Sequence, residues 1–545
     1  MKADISELAK LLGASETMFD ILVCKPADLP DTVTVIGPED IDRGFQSAFP
    51  ERLGAFPTHK VNRLLQRAAG RIGHRLARRA ADQLDVAPGG LKHAWFFPIL
   101  AELTSLVPIR HLARQYARSD QEQPFAIVLP SQSFVCLNAW DTNFVEPLYL
   151  ASEMRRCGAS VCLIAEDDFD PPALAFRLSD KWLPKGYPRF FRSPDFETVL
   201  CKNAIRSSDV VAQETGAKIR KTPGMVSRLK INSLRRKNCR FEVPLTQGPR
   251  MAGFPIYSVE KSAISIEQAF DDLLGPLTRQ VRDWYRSELE GRPVRMAQVA
   301  DHASLEGGLL GAEVVRRGGQ IRIWPHSANV VHMEAHDPAQ VAGITVAAQS
   351  TGAHWAKKFG AEKLRVATKT ILPDAPPASA FDEKQSIHVV LFGGAHFLRR
   401  VPLISYQAHE QSWTNTLNAL LKSDVSFVVK HKSVWETRNW ITQRAPNNTK
   451  LRFSNVHANK LQLPNMVFVC ISLASTAILE GIARGVPGVI VRDVAVDETP
   501  HYDPASVPTL RSDQLGPFLA GLRSKAAWLE LRERQRTWFL RETGQ

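Results

Sequence analysis

Three cations closing an apolar run, and a cluster of hydroxyls before a helix, are the residues whose types and spacing invite chemistry. Phe427-Val428-Val429 leads into Lys430-His431-Lys432, and Met466 to Ile471 leads into Ser472, Ser475 and Thr476. A helical pattern follows, with Ile478, Leu479, Ile482 and Ala483 on one face; Gly485 and Pro487 end it, and Gly488 to Val491 reads as the next strand. Strand, helix and strand at this spacing form a βαβ unit, and a parallel sheet presents its ligands at the carboxyl ends of its strands. Ser475 and Thr476 stand at a helix start, where unpaired backbone N–H groups and hydroxyls suit an anion. Glu480, one turn further on, suits hydrogen bonds from sugar hydroxyls. Simple capping is the alternative for Ser475 alone; the basic strand end beside it favours a phosphate site.

On these residues the chain resembles bacterial surface-polysaccharide glycosyltransferases, of the capsule and O-antigen type, which have the GT-B fold. VVKHKSV is similar to their strand ending in a Lys-x-His-Pro-like motif. ISLASTAILEGIARGVPGVIV is similar to their segment of Ser-Ser/Thr, Glu-Ala and Gly-x-Pro, which holds the diphosphate and ribose of a donor. Lys432 stands where proline is usual, and Gly481 where alanine is typical. Nucleotide-sugar epimerases share much of the pattern. The resemblance spans roughly residues 295–495, and the first 290 carry no family signature. It implies two Rossmann-like α/β domains facing across a cleft, with an enlarged N-terminal domain.

At 545 residues the chain exceeds a single core. A hydrophobic share of 44% with 23% charged residues is that of a soluble globular protein, and no apolar run is long enough to cross a bilayer. MKADISELAKLLG reads as an amphipathic helix start and not a secretory signal, so a cytoplasmic place is expected. The seven cysteines are odd in number and scattered, against a disulfide framework or a zinc site. A net charge of +13 suits acidic ligands: nucleotide phosphates, anionic lipid, acidic glycans or nucleic acid.

In chain order, Thr32 to Gly37 is the first expected strand. Residues 58–82 form a basic amphipathic helix, with Val61, Leu64, Leu65, Ala68, Ile72 and Leu76 on one face, suited to an anionic membrane surface or to ordinary packing. Phe125 to Pro130, a helix from Glu146 to Cys157, and Ser160 to Ala165 make a βαβ unit. Residues 171–208 read as irregular, Val210-Val211 as a short strand, and 218–237 as an acid-free basic stretch without the interleaved aromatics of a nucleic-acid site. Ser265 to Leu289 is helical. A second βαβ unit runs from Val294 to Trp324 around a helix at Leu305 to Arg317, with Asp301-His302 and His326-Ser327 at its strand ends. Gly343 to Ala348 is a strand, Gly352 to Gly360 a helix and turn, and 372–384 a proline-rich linker. His388 to Phe392 opens the second domain and runs into Gly393-Gly394, whose glycines admit a ligand close to the backbone. Ser512 to Phe539 reads as one terminal helix. The expected domains are 1–371 on the acceptor side, 372–384 as linker, 385–525 for the nucleotide-sugar, and 526–545 as terminal helix.

The site expected is a metal-independent one. The sequence has no Asp-x-Asp triplet, and the His332, Glu334 and His336 alternation is not a recognised ligand spacing. Lys430, His431 and Lys432 would stabilise the departing diphosphate; Gly393, Gly394, Ser472, Ser475, Thr476 and Glu480 would bind the donor. Asp301, His302 and His326 are the candidates for the base that takes the acceptor proton, with N-capping of the Leu305 helix as the alternative for Asp301. No cofactor is expected, the nucleotide-sugar being the donor substrate. The acceptor would be a surface glycan or a lipid-linked one, and no nucleic-acid partner is expected. The rival classes are a nucleotide-sugar 2-epimerase and a non-catalytic protein that binds polyanions or nucleic acid.

Overall fold

The computed structural model describes residues 17–41, 58–119, 124–129, 133–135, 145–165, 173–178, 190–192, 198–201, 211–212, 218–219, 240–250, 253–262, 274–301, 304–325, 336–367, 377–393, 406–430, 435–445, 448–456, 458–471, 476–493 and 502–544. The chain is α/β, as expected. It opens with β1 (Met18–Val23) and β2 (Thr34–Ile36), then the helices α1 (Thr58–Leu84) and α2 (Pro88–Ser119). Next come β3 (Phe125–Val128), β4 (Ser133–Val135), α3 (Val145–Arg156), β5 (Val161–Ala165), β6 (Ala173–Leu178), β7 (Phe190–Arg192), β8 (Thr198–Cys201) and β9 (Lys218–Ile219). After these, β10 (Arg240–Pro244) returns antiparallel to β6, β12 (Ile256–Glu260) antiparallel to β1, and β11 (Thr246–Gln247) pairs antiparallel with β12. The expected βαβ of β3, α3 and β5 is present, in a six-stranded sheet of order β11-β12-β1-β5-β3-β2.

Two expectations in this half are corrected. Residues 171–208 contain three strands, β6 to β8, where prolines and aromatics had argued for irregular chain. Val211 belongs to a helical pair with Ala212, so the short strand there does not form. The sequence reading also passed over β1. Its MFDILV run places Asp20 in a strand, which breaks the apolar pattern, and Ser258 of β12 satisfies that carboxylate at 2.5 Å.

α1 and α2 form a hairpin that carries much of the basic charge: eleven Lys or Arg against three Asp or Glu over residues 58–119. Small residues let α1 lie close on α2, with Ala69, Gly73, Leu76, Ala77, Ala80 and Leu84 buried, while Arg67, Arg71, Arg75, Arg78 and Arg79 are exposed. From Arg67 on, the apolar side of the helix is therefore spent on packing within the protein, and its arginines meet solvent.

The second sheet follows α4 (Gly275–Leu289), with β13 (Met296–Ala300), α5 (Leu305–Arg316), β14 (Gln320–Trp324), β15 (Val341–Val346), α6 (Gln349–Phe359) and β16 (Leu364–Val366). Its order is β16-β15-β14-β13-β8-β7-β9, parallel from β8 to β16. One continuous core joins it to the first sheet. α2 crosses α5 at a glycine contact: a side-chain carbon on Gly308 would lie 2.7 Å from the backbone of Ala94 and of Gly90. Glu313 on α5 is buried and accepts from Arg316 (2.6 Å), Arg317 (2.8 Å) and Arg286 of α4 (3.3 Å).

The third sheet contains β17 (His388–Gly393), α7 (Tyr406–Lys422), β18 (Ser426–Lys430), α8 (Trp435–Arg444), β19 (Leu451–Ser454), β20 (Met466–Ile471), α9 (Thr476–Arg484), β21 (Gly488–Val491) and β22 (Thr509–Leu510). The tail expected to be helical forms two helices, α10 (Ser512–Gly521) and α11 (Lys525–Thr543). The chain before β17 is pinned: Asn465 donates to Asp382 and Gln385 carbonyls at 2.7 and 2.8 Å, and Phe381 packs on Trp528. α11 returns to the second sheet, where Glu542 accepts from the Ser350 backbone N–H at 3.0 Å in the first turn of α6. The residue preceding that helix, Ala348, offers no capping side chain. Gln535 of α11 brackets Gly488, accepting from its N–H and donating to its carbonyl.

Candidate functional site

All six strands of the third sheet are parallel, in the order β19-β18-β17-β20-β21-β22. Numbered from β17, this is the 3-2-1-4-5-6 order of dinucleotide-binding folds. The chain moves outward in one direction from β17 and in the other from β20, and it is at the carboxyl ends flanking such a switch that ligands of these sheets bind. Register makes the positions explicit. Phe392 of β17 lies opposite Lys430 on one side and Cys470 on the other; Gly393 lies opposite Ile471, and Ile471 opposite Val491.

Among the donor candidates, Gly393 ends β17, Lys430 ends β18, and Thr476 begins α9, at neighbouring strand ends of one sheet edge. Lys430 donates through Nζ to the Asn455 carbonyl at 2.9 Å, which holds its stem along β19. Glu480 is buried on α9, and Thr476 is half-buried. Gly394, His431, Lys432, Ser472 and Ser475 lie outside the described residues. α9 sits hard on the sheet because two glycines admit it. A side-chain carbon on Gly481 would fall 2.6 Å from Phe468, and one on Gly488 would fall 2.8 Å from Ile478. The glycine at 481, where the resembling family has alanine, thus has a local packing reason. Gly485 turns the chain at φ +83° directly after α9.

Arg484, which the sequence reading did not single out, is buried at the last turn of α9. It donates to the carbonyls of Ala458 (2.8 Å) and Leu461 (2.9 Å), and burial lowers its pKa from the ordinary value. Its i, i+4 spacing from Glu480 was the available signal. Asp493, just past β21, was also missed. It accepts from the Ser512 N–H (2.8 Å) and hydroxyl (2.9 Å) and from Asn415 (3.1 Å), fixing the start of α10. It opens onto a surface groove of about 850 Å³ between α7 and α10 that includes Asn418, Lys422, Arg511 and Arg523. None of the described candidate residues lines that groove.

On the second sheet, Asp301 directly follows β13 and is fully buried; its backbone N–H donates to the Trp324 carbonyl at 2.8 Å. The capping alternative for it does not hold. Ser304 caps α5, accepting from the Gly307 N–H at 3.1 Å. His302 and His326 lie outside the described residues, as do His332 and Glu334. His336 is described, buried, and stacked on His93 of α2, ring centroids 4.2 Å apart. The sequence reading placed nothing from the first 290 residues here. No group of three potential metal-ligating side chains occurs among the described residues.

No family model and no curated protein sequence matches the chain. Solved structures do, loosely. The Staphylococcus aureus protein MnaA in complex with UDP has a TM-score of 0.33 at 10% identity, covering 48% of this chain and 76% of that one. MurG of Acinetobacter baumannii has 0.35 at 14%, covering 62% and 93%. Os79 of Oryza sativa, solved with UDP and a deoxynivalenol glucoside, has 0.35 at 12%, covering 51% and 80%. At scores this far below 0.5 these likenesses carry no inference about the site, which rests on the strand order and side chains above.

Proposed function

We propose that the protein is a metal-independent glycosyltransferase that moves a sugar from a nucleotide-sugar to a surface-glycan or lipid-linked acceptor. The observation that carries this reading is the switch point between β17 and β20, with Gly393 and Lys430 at strand ends of one sheet edge and Thr476 at the start of α9. The donor diphosphate would lie over the turn that begins α9, where the helix start and Lys430, joined by His431 and Lys432, offset its charge. Glu480 would take hydrogen bonds from the ribose. As the acceptor hydroxyl oxygen bonds to the sugar's anomeric carbon, the bond from that carbon to the phosphate oxygen breaks and the nucleoside diphosphate leaves. The acceptor proton goes to a base on the second sheet. Asp301 is too deeply buried to meet an acceptor, so His302 or His326 takes that role and Asp301 orients it.

Peripheral membrane association belongs to the same reading. Arg67, Arg71, Arg75, Arg78 and Arg79 of α1 are exposed and the apolar side of the same stretch is packed, so contact with an anionic inner leaflet would be electrostatic. Among the described residues no helix is long and apolar enough to cross a membrane.

Calorimetry of the full chain against UDP, GDP, CDP, CMP and ADP tests the donor side. Lys430→Ala should weaken the nucleotide that binds by roughly tenfold to a hundredfold, the cost of one charge-assisted hydrogen bond. Glu480→Ala should weaken it through the ribose. Parent-like affinity in Lys430→Ala would place the donor elsewhere. Incubation with nucleotide-sugar alone separates the epimerase, which would interconvert the sugar without an acceptor.

A further inference from the structure

We propose that the groove between α7 and α10 is a binding site for an uncharged oligosaccharide. The inference rests on the glycosyltransferase reading only for the source of that ligand, a stretch of the acceptor glycan held away from the donor turn. The chemistry of the groove is read from its own residues.

The groove follows from how two helices meet. Trp413, Leu417 and Leu420 of α7 and Leu515 and Leu519 of α10 share one core against the third sheet. The helices come so close that a side-chain carbon on Gly516 would stand 3.3 Å from Ser423 Oγ. Ala419, Gly516 and Ala520 are too small to fill the space above that contact, which holds about 850 Å³ and is of the size that takes a bound small molecule. One end is Asp493, past β21 at the carboxyl edge of the sheet; the other is Asp424, before β18 at the amino edge. The groove therefore runs at least the height of a four-residue strand, about 13 Å. That is long for a single sugar and suits a chain of them.

Its charges cancel. The described lining residues bring three cations, Lys422, Arg511 and Arg523, and three carboxylates, Asp424, Asp493 and Asp513. Opposite signs also meet at both ends: Arg523 donates to Asp424 at 2.7 Å, and Arg511 stands 3.5 Å from Asp513. A polyanion would have to lie along the carboxylates, and a polycation along the guanidinium groups. A sugar hydroxyl donates and accepts at once, which matches walls that offer both. Asn418 and Lys422, one turn apart on α7, are exposed on the rim and hold no partner among the described residues.

α10 carries a second, independent sign. Pro517 sits inside the helix, where it has no N–H to give the Asp513 carbonyl and is the least favoured residue. It is exposed, so no buried contact offsets that loss. Packing against Ser423 accounts for Gly516; it does not account for the proline beside it. Both Pro517 and Asp513 line the groove. A helix-breaking residue without a packing reason is expected at a site, here one that uses the open carbonyl and the apolar ring.

The test uses the full chain, with maltohexaose, chitohexaose and mannohexaose as probes, read by saturation-transfer NMR and calorimetry. At least one should bind. Ala520→Trp, which puts an indole into the groove from an exposed position, should abolish that binding. Asn418→Ala and Lys422→Ala should each weaken it by about twofold to tenfold, the scale of one hydrogen bond. Pro517→Ala should raise the unfolding temperature, by restoring a helical N–H, and lower sugar affinity by a similar factor. Inorganic pyrophosphate and heparin should not displace the sugar, and thermal unfolding checks that each variant is folded.

No binding of any hexasaccharide by the folded parent, undiminished binding in Ala520→Trp, full sugar affinity in Pro517→Ala, or displacement by pyrophosphate or heparin would each overturn the assignment. The two readings fail separately. A parent that binds the hexasaccharide but no nucleotide loses the glycosyltransferase reading and keeps the groove; one that binds nucleotide alone loses the groove.

Discussion

Replacing Gly481 by alanine sets two known effects against each other, and the structure decides the sign. In a helix interior alanine is favoured over glycine by about 1 kcal/mol, so propensity alone says Gly481→Ala stabilises. The added carbon, however, would stand 2.6, 3.1 and 3.2 Å from three atoms of the Phe468 ring, where contact between carbons is comfortable only at about 3.5–4.0 Å. Relief needs a shift of roughly 1 Å. Phe468 is fully buried and packs against Phe392 at 5.0 Å, so the ring has nowhere to go and α9 must lift instead. Overpacking of this kind costs about 1–3 kcal/mol, which exceeds the propensity gain. The expected result is a net destabilisation of about 1 kcal/mol in urea unfolding, together with weaker nucleotide binding, because lifting α9 moves Thr476 and the turn before it. Adding Phe468→Leu makes room for the methyl group, so the double variant should be more stable than the two single losses sum to, by about 1 kcal/mol. A Gly481→Ala protein more stable than its parent, with nucleotide affinity intact, would refute the packing argument.

Glu313→Gln should destabilise by about 1.5–3 kcal/mol, the usual cost of losing charge-assisted hydrogen bonds to a buried carboxylate, read as a lower urea midpoint at pH 7. Burial pushes the Glu313 carboxyl up, but bonds from Arg316 and Arg317 outweigh it and hold the pKa below its ordinary value. Its contribution is thus present above the unfolded-state pKa of about 4.5 and lost as pH falls through the folded one, so parent and variant should converge in stability in strong acid. Burial pushes the Cys162 thiol up to about 11, with Arg155 opposing, whereas Cys157 is exposed. Iodoacetamide at pH 8 should therefore label Cys157 and spare Cys162 until the chain unfolds; peptide mass mapping checks this. Co-sedimentation with anionic vesicles should fall steeply as salt rises, and reversal of charge at Arg67, Arg71 and Arg78 should abolish it, while equal binding to neutral vesicles would argue for insertion instead.

The βαβ unit from 425 to 491 was legible because its strands are unbroken apolar runs, buried on both faces as parallel strands must be. The strand order was not legible, since local pattern does not say on which side of β17 the chain returns. β1 and β6 to β8 escaped because Asp20, prolines and aromatics interrupt the alternation that marks a strand. The places of Lys430 at the end of β18 and of Thr476 and Glu480 on α9 could be read from spacing along the chain. The contact of His93 with His336 could not, since the two rings lie 243 positions apart and meet only through tertiary packing.

The crossing at Gly90 and Gly308 makes the α1–α2 hairpin and α5 one mechanical part. Backbone pressed on backbone has no side-chain cushion, so a displacement of α2 passes to α5 undiminished. A force applied to α1 reaches α5 through that same α2, and the hairpin and the second sheet's helix cannot be exchanged or redesigned as separate modules.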